Sequence, residues 1–246
     1  MSKFLGIIGG MGTQATACLY QMLHDLQKVT VEQEYIDVLI YSKPSIPDRT
    51  AFITGQSTEN PLDSLISAAK ILETAGVDCI AIPCATSHYF YDELTKAVNI
   101  PILNLLDETA QYVKSLGLKR VCLLATDGTL RSRLFHNAFE KCGIVITVPA
   151  DNVQADLMDL IYDIKRGEAG ASGALGGILS KVCDYGVEAV VLGCTELCVL
   201  QQLDRGTVHP AQDRGTVHPA LINILEVLAE ASIDFCKAGK NKRNNI

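Results

Sequence analysis

The chain has 246 residues, 48% of them hydrophobic, which is enough for one large α/β domain or two lobes of roughly 100 residues each. The formal net charge is −7, and no basic stripe is present, which argues against nucleic acid as a partner. No apolar run approaches the ~20 residues that a membrane span needs, and no export signal is visible, so a membrane partner is not expected either.

The chain contains nine cysteines. No two of them are spaced as a CxxC pair, so the sequence gives no support for a zinc or redox site, and we predict no metal. In a chain without a visible export signal, this number of cysteines indicates reduced thiols rather than a disulfide framework. We therefore expect a cytoplasmic protein.

Short apolar runs rich in β-branched residues alternate along the chain with helical patterns. The predicted strands, in chain order, cover 4–8, 36–41, 79–83, 102–106, 120–125, 144–148 and 189–192. Apolar residues at helical spacing predict helices between them, and a last helix is predicted over 221–235. The sequence therefore predicts an α/β fold of parallel sheets flanked by helices on both faces.

An internal repeat surrounds two of the cysteines. The Gly-Val-Asp tripeptide at 76–78 lies six to eight residues before Cys84, and the Gly-Val-Glu tripeptide at 186–188 lies at the same distance before Cys194. An apolar strand is predicted between each tripeptide and its cysteine. Both thiols are therefore expected at the carboxyl end of a parallel strand, where open sheets bind ligands.

A second match supports the first. Residues 5–13 align without a gap with residues 121–129, so each half has a first strand that ends in a Gly-Thr turn. Two similar lobes that face each other would present two cysteines across one cleft. Five other cysteines lie on apolar helical or strand faces, where the usual role of a free thiol is that of a small buried hydrophobe: Cys18, Cys122, Cys142, Cys183 and Cys236.

Two opposed thiols suit one kind of chemistry in particular. Inverting a carbon centre requires removal of a proton from one face and delivery of a proton to the other, and a thiolate and a thiol do this directly. The reference pKa of a cysteine is about 8.5, and donors or positive charge at a helix N-terminus can bring it near neutral pH.

Several motifs, in order, resemble the aspartate/glutamate racemase family. They are GGMG at 9–12, SIPDRT at 45–50, PCATSH at 83–88, LATDGT at 124–129, IKRG at 164–167 and GCTEL at 193–197. The resemblance spans roughly residues 4–200. It implies a racemase that uses no pyridoxal and no other cofactor, has two pseudo-symmetric lobes with the active site in the cleft, and forms a homodimer. It also implies that Cys84 and Cys194 are the acid/base pair.

The resemblance further implies a first lobe of residues 1–103 plus 215–246, with a returning C-terminal helix, and a second lobe of 104–214. The substrate would be a small dicarboxylic amino acid, with Arg49 and Lys165 holding carboxylates. Glu196 stands where members acting on glutamate usually have His, which favours aspartate. The complete set of predicted substrate-binding residues is Met11, Arg49, Ala85, Thr86, Ser87, Lys165, Thr195 and Glu196.

Some of these residues have simpler explanations. Arg49 could instead stabilise a loop by pairing with Asp48, and Lys165 could be a solvated cation at a helix end. His88 is expected to position a helix rather than to catalyse. Ala85 stands where the family usually has Asn, so we expect weaker binding or slower turnover.

Residues 204–220 contain a tandem duplication with a nine-residue period. Its Gly, Pro, Asp and Thr content predicts a loop. Its two histidines are a weak metal signal, which we reject. Two alternatives to the racemase interpretation remain open: a related enzyme of the same build, such as a hydantoin racemase, a maleate isomerase-like protein or a decarboxylase, and a non-catalytic amino-acid-binding protein with a decayed site.

Overall fold

The computed structural model describes residues 3–167, 173–204 and 219–238. Within them, the strands form two sheets in which every pairing is parallel. The strands are β1 Leu5–Gly9, β2 Val38–Ser42, β3 Cys79–Ala81, β4 Arg120–Leu124, β5 Val145–Thr147, β6 Ala189–Leu192 and β7 Ala220–Asn223. The first sheet has the order β2-β1-β3 and the second has the order β5-β4-β6-β7.

Helices connect and cover the strands, which confirms the predicted α/β fold. They are α1 Thr13–Leu26, α2 Arg49–Thr54, α3 Leu62–Thr74, α4 Tyr91–Ala97, α5 Leu105–Ser115, α6 Asp127–Arg131, α7 Leu134–Lys141, α8 Asp151–Arg166, α9 Ala174–Val182, α10 Thr195–Asp204 and α11 Ile224–Lys237. Short 3-10 helices cover Glu32–Glu34, Ala85–Phe90 and Cys183–Tyr185. In the described ranges, none of the helices combines the length and the apolar character that crossing a membrane requires.

The two sheets repeat each other in register. Leu5 of β1 pairs with Cys79 of β3, and Val121 of β4 pairs with Ala189 of β6. These pairs correspond to each other in the internal repeat of the sequence. The two strands that lead to Cys84 and Cys194 therefore hold the same place in their sheets.

The predicted strand over 102–106 is wrong for most of its length. Ile102 alone forms a bridge, with Ile80, and α5 begins at Leu105. The Asn104 side chain accepts hydrogen bonds from the backbone N–H groups of Leu106 (3.1 Å) and Asp107 (3.3 Å). This N-cap starts a helix inside a run that is apolar enough to suggest a strand.

The predicted helix over 221–235 is wrong at its start, because Ala220–Asn223 is a strand that pairs with β6. The Asn223 side chain then caps α11 by accepting from the N–H groups of Leu225 (3.0 Å) and Glu226 (3.2 Å). Leu221 pairs with Val190 as Ile102 pairs with Ile80. Each half therefore ends with the same motif, a short strand-pairing segment followed by an Asn-capped helix.

Helices α5 and α11 pack across the boundary between the two halves. Helix α11 contacts α1 and α5, and α5 also contacts α7. The backbone N–H of Lys3 donates to the Cys236 carbonyl at 3.1 Å, which joins the two ends of the described chain. Strand β7 pairs with the second sheet although it lies within the range predicted for the first lobe. The lobe boundaries themselves stay a prediction, because the division at 214/215 lies outside the described residues, as does most of the duplication at 204–220.

Candidate active site

The two cysteines singled out by the repeat line one narrow cavity between the sheets, with an accessible volume of about 10 Å³, roughly the space of one water molecule. Cys84 is 5% exposed and Cys194 is 6% exposed, so the two thiols are buried to the same degree. Each follows a buried strand, β3 or β6, and immediately precedes a helix. The repeat thus brings two thiols together from opposite halves of the chain, as predicted.

The backbone at Cys84 is held by a buried histidine. The Cys84 carbonyl accepts from the Ser87 N–H (3.2 Å) and lies 3.1 Å from His88 Nδ1. His88 Nε2 accepts from the Leu105 N–H at 3.1 Å, so the ring proton belongs on Nδ1, which donates to Cys84. Burial lowers the pKa of His88 and keeps the ring neutral. His88 thus ties the Cys84 segment to the start of α5, in agreement with the positioning role expected for it.

A carboxylate lies directly beside Cys194. The Cys194 thiol donates to Glu196 Oε2 at 2.9 Å, and the Thr195 hydroxyl donates to the same oxygen at 3.4 Å. Burial, followed by the negative charge of Glu196, raises the pKa of Cys194 well above its ordinary value, and the Lys165 ammonium opposes this only in part. Cys194 is therefore held as a protonated thiol.

Arg49 approaches from the first half of the chain and is 7% exposed. One guanidinium nitrogen, Nη1, donates to the carbonyls of Ile46 (3.2 Å) and Pro47 (2.9 Å), whereas the buried Nε has no partner. Burial works against the charged form, but the neighbouring Cys84 sulfur and the carboxylates of Asp48 and Glu196 outweigh it, so the pKa of Arg49 is raised. Arg49 thus remains a cation whose buried Nε–H has no partner.

Lys165 approaches from the last turn of α8. Its Nζ lies 3.9 Å from Asp48 Oδ2 and 4.8 Å from the centre of the Tyr162 ring. Burial would lower the pKa of Lys165, yet Glu196, Cys194 and Asp48 outweigh this and raise it. The cavity therefore holds two cations and one carboxylate.

Hydroxyl groups join the two halves beside the thiols. The Thr86 oxygen lies 3.2 Å from that of Thr126 and 2.9 Å from that of Thr129, and the last two are 3.0 Å apart. Next to this triangle, a Cβ on Gly128 would stand 2.9 Å from the Thr50 Cα. Any side chain at position 128 would therefore push α6 away from α2.

Glu196 also has an unpartnered atom. Its Oε1 is buried and has no hydrogen-bond partner, and a Cβ on Gly12 would lie only 3.2 Å from it. Glycine at position 12 therefore leaves the space next to this oxygen open. Two buried polar atoms of the lining residues have no partner: the donor Arg49 Nε and the acceptor Glu196 Oε1.

Most residues predicted for the site lie around this cavity. Its lining contains the residues Met11, Arg49, Cys84, Ala85, Thr86, Lys165, Cys194, Thr195 and Glu196. Ser87 lies outside the lining and is fully buried, and its hydroxyl donates to the Met11 sulfur at 3.4 Å. The Ser87 hydroxyl thus supports Met11, and the contact of Ser87 with substrate stays a prediction.

Sequence reasoning missed three lining residues, Thr50, Thr126 and Gly193. All three were within reach of the sequence, because Thr50 closes the SIPDRT motif, Gly193 opens the GCTEL motif and Thr126 belongs to the repeat of the first strand turn. Nowhere in the described ranges do three His, Cys, Asp or Glu side chains come together in a group that could hold a metal ion.

Comparison with known proteins identifies the family. The family model described as Asp/Glu/Hydantoin racemase matches residues 8–230. The chain belongs to this family. This membership supports the prediction of an amino-acid racemase, and the matched range includes both cysteines and every residue that lines the cavity.

Individual relatives agree with the assignment. The broad specificity amino-acid racemase of Bacillus subtilis is 28% identical over 204 residues, which cover 78% of this chain and 85% of the relative. The aspartate racemase of Picrophilus torridus superposes with a TM-score of 0.80 at 28% identity, over 94% of this chain and 93% of that chain. A glutamate racemase of Francisella tularensis in complex with D-glutamate shares the fold, with a TM-score of 0.69 at 16% identity over 100% and 84% of the two chains.

Proposed function

We propose that this member of the family interconverts L- and D-aspartate without pyridoxal, by proton transfer at Cα between Cys84 and Cys194, with glutamate as a second substrate. The observation that carries the proposal is the pair of buried unpartnered atoms, Arg49 Nε and Glu196 Oε1, beside two thiols in one cavity. A buried donor and acceptor without partners are costly unless a ligand satisfies them.

The charges of the cavity match those of an acidic amino acid. Arg49 and Lys165 suit two carboxylates, and the planar guanidinium is well shaped for one of them. Glu196 suits the ammonium group. Glu196 stands where members acting on glutamate usually have His, and this supports aspartate as the main substrate.

The two thiols would divide the reaction between them. Cys84, beside the Arg49 cation, takes the Cα proton as a thiolate, and the protonated Cys194 delivers its own proton to the opposite face. The product leaves a Cys84 thiol and a Cys194 thiolate, which is the form that processes the other enantiomer. Both thiols must be reduced, and neither Cys84 nor Cys194 forms a disulfide. We also propose a cytoplasmic location and no cofactor, since the exchange needs only the two thiols.

Hydantoin racemases share the family description, but a hydantoin ring carries no carboxylate for Arg49 and Lys165 to bind. Two cations in the lining therefore favour an acidic amino acid. We also propose the homodimer that the family resemblance implies, which sedimentation analysis of the purified chain would test.

The test is exchange of the Cα proton in D2O with L-aspartate and L-glutamate, followed by NMR together with optical rotation. We expect the wild type to lose both signals, and Cys84→Ser and Cys194→Ser each to slow this by about 10³-fold, since a serine hydroxyl is a far weaker acid. Cys198→Ser is the matched control, because this buried thiol bonds the Leu192 carbonyl and does not line the cavity.

Exchange that persists in both active-site variants would overturn the two-thiol mechanism. Binding of aspartate without any exchange by the wild type would instead support the amino-acid-binding protein.

A further inference from the structure

The hydroxyl triangle between the two halves contains one member that the proposed reaction does not use. Thr86 and Thr126 line the cavity, whereas Thr129 stands behind them and is 1% exposed. We propose that Thr129 is a positioning residue, whose hydroxyl and backbone N–H satisfy the oxygens of Thr86 and Thr126 so that both can donate their protons to one substrate carboxylate. This inference rests on the proposed function for the identity of the carboxylate.

Each threonine hydroxyl carries one proton and can accept two hydrogen bonds. The Thr129 N–H donates to Thr126 Oγ1 at 3.3 Å, so the oxygen of Thr126 already has a donor. The Thr129 hydroxyl lies closest to Thr86, at 2.9 Å, and can donate there. The protons of Thr86 and Thr126 are then both free to turn towards the cavity.

Without the Thr129 hydroxyl the number of free protons changes. The oxygens of Thr86 and Thr126 lie 3.2 Å apart, so each is the nearest remaining partner of the other. The Thr86 oxygen has then lost its donor, which is costly for a buried group, whereas Thr126 keeps the Thr129 N–H. The Thr126 proton is the nearest replacement for Thr86, and once it turns there only one proton remains for a carboxylate. Since Thr86 and Thr126 come from different halves of the chain, a carboxylate that receives both protons also joins the halves.

The position of Thr129 in the repeat shows that this arrangement belongs to one side of the cavity. Thr129 aligns with Thr13 of the first half, but Thr13 is exposed on the first turn of α1. The residue next to Thr13, Gly12, faces Glu196 instead of a hydroxyl cluster. One carboxylate of the substrate is therefore assigned to the Cys84 side of the cavity, where the hydroxyls are.

The test compares Thr129→Val, which keeps the shape and removes the hydroxyl, with Thr129→Ser, which keeps the hydroxyl. Calorimetric titration with L-aspartate and L-glutamate measures binding, because two enantiomers have equal enthalpy and turnover adds no net heat. We expect Thr129→Val to weaken binding about 10-fold, as for one lost charge-assisted hydrogen bond, and Thr129→Ser to stay within about threefold of wild type. KM should rise by the same factor, with kcat within about threefold.

Equal binding by Thr129→Val and wild type would overturn the inference, as would an equal loss in Thr129→Ser, or a wild type that binds neither amino acid. Thermal unfolding checks each variant, and Thr129→Ala, which crowds the interior less, replaces valine if that variant does not fold. A wild type that binds in a Thr129-dependent way but exchanges no Cα proton would overturn the proposed racemase and leave this inference standing.

Discussion

The two sides of the cavity have the same backbone arrangement but different side chains. Cys84 and Cys194 follow equivalent strands in the same register, and each half ends with an Asn-capped helix. Around Cys84 lie a guanidinium, hydroxyls and an alanine. Cys194 instead donates its proton to a carboxylate at 2.9 Å.

This difference shows that the repeat supplies geometry and the substituents supply function. A substrate whose Cα is attacked from either face has two different ends to be bound, so a cavity symmetric in its side chains could not orient it. Backbone symmetry places the thiols on opposite halves, while Arg49 and Glu196 break the symmetry and distinguish carboxylate from ammonium. Substitutions on one side of the cavity at a time separate the two contributions.

Among the substitutions that leave both thiols in place, the largest effect is expected from Arg49→Lys on the Cys84 side. Lysine keeps the charge but loses the planar fork and the free Nε donor, so kcat/KM for L-aspartate should fall about 100-fold, mainly through KM. Arg131→Lys is the matched control, because Arg131 Nη1 donates to the Thr54 carbonyl at 3.0 Å and lies outside the cavity lining. Equal losses in the two variants would show that Arg49 only stabilises the contact between the halves.

An intermediate effect is expected from Glu196→Gln on the Cys194 side. The negative charge of Glu196 contributes to the raised pKa of Cys194, so its removal should lower that pKa and move the alkaline limb of the kcat/KM profile to lower pH. Loss of the ammonium partner should also reduce kcat/KM about 10-fold at neutral pH.

Glu188→Gln is the control for this change. The Glu188 carboxylate accepts from the backbone N–H groups of Lys119 (2.8 Å) and Arg120 (2.7 Å) at the surface, away from the cavity. It should leave the position of the alkaline limb unchanged. A limb that stays in place in Glu196→Gln would mean that Glu196 does not act on Cys194.

The smallest effect is expected from Ala85→Asn, which adds an amide to the Cys84 side. Ala85 is 3% exposed and lines the cavity without any polar side-chain group. A new hydrogen bond to the bound amino acid should raise kcat/KM about fivefold, equivalent to about 1 kcal/mol. Ala97→Asn, at the end of α4, should have no effect on kcat/KM. An unchanged or lower kcat/KM in Ala85→Asn would show that the cavity is adapted to alanine.

Local patterns were enough to predict the α/β class, the alternation of strands and helices, and the two thiols at equivalent strand ends. These patterns are apolar runs, tripeptides at fixed spacing and the motifs around Cys84 and Cys194. The equivalence of 102–104 and 221–223 could not be predicted in this way, because it lies in the caps of Asn104 and Asn223 and in strand pairings between distant segments.

The packing of the fold, by contrast, sets which side chains share the cavity and how they interact. Ser87 and Thr86 are neighbours in one predicted motif, yet the fold turns Thr86 into the cavity and Ser87 towards the Met11 sulfur. Thr129 reaches Thr86 across 43 positions of the chain, and the thiol of Cys194 reaches Glu196 through a helix start. Hydrogen bonds and buried charge depend on distances that packing sets, and a sequence pattern specifies residue types and spacing but not those distances.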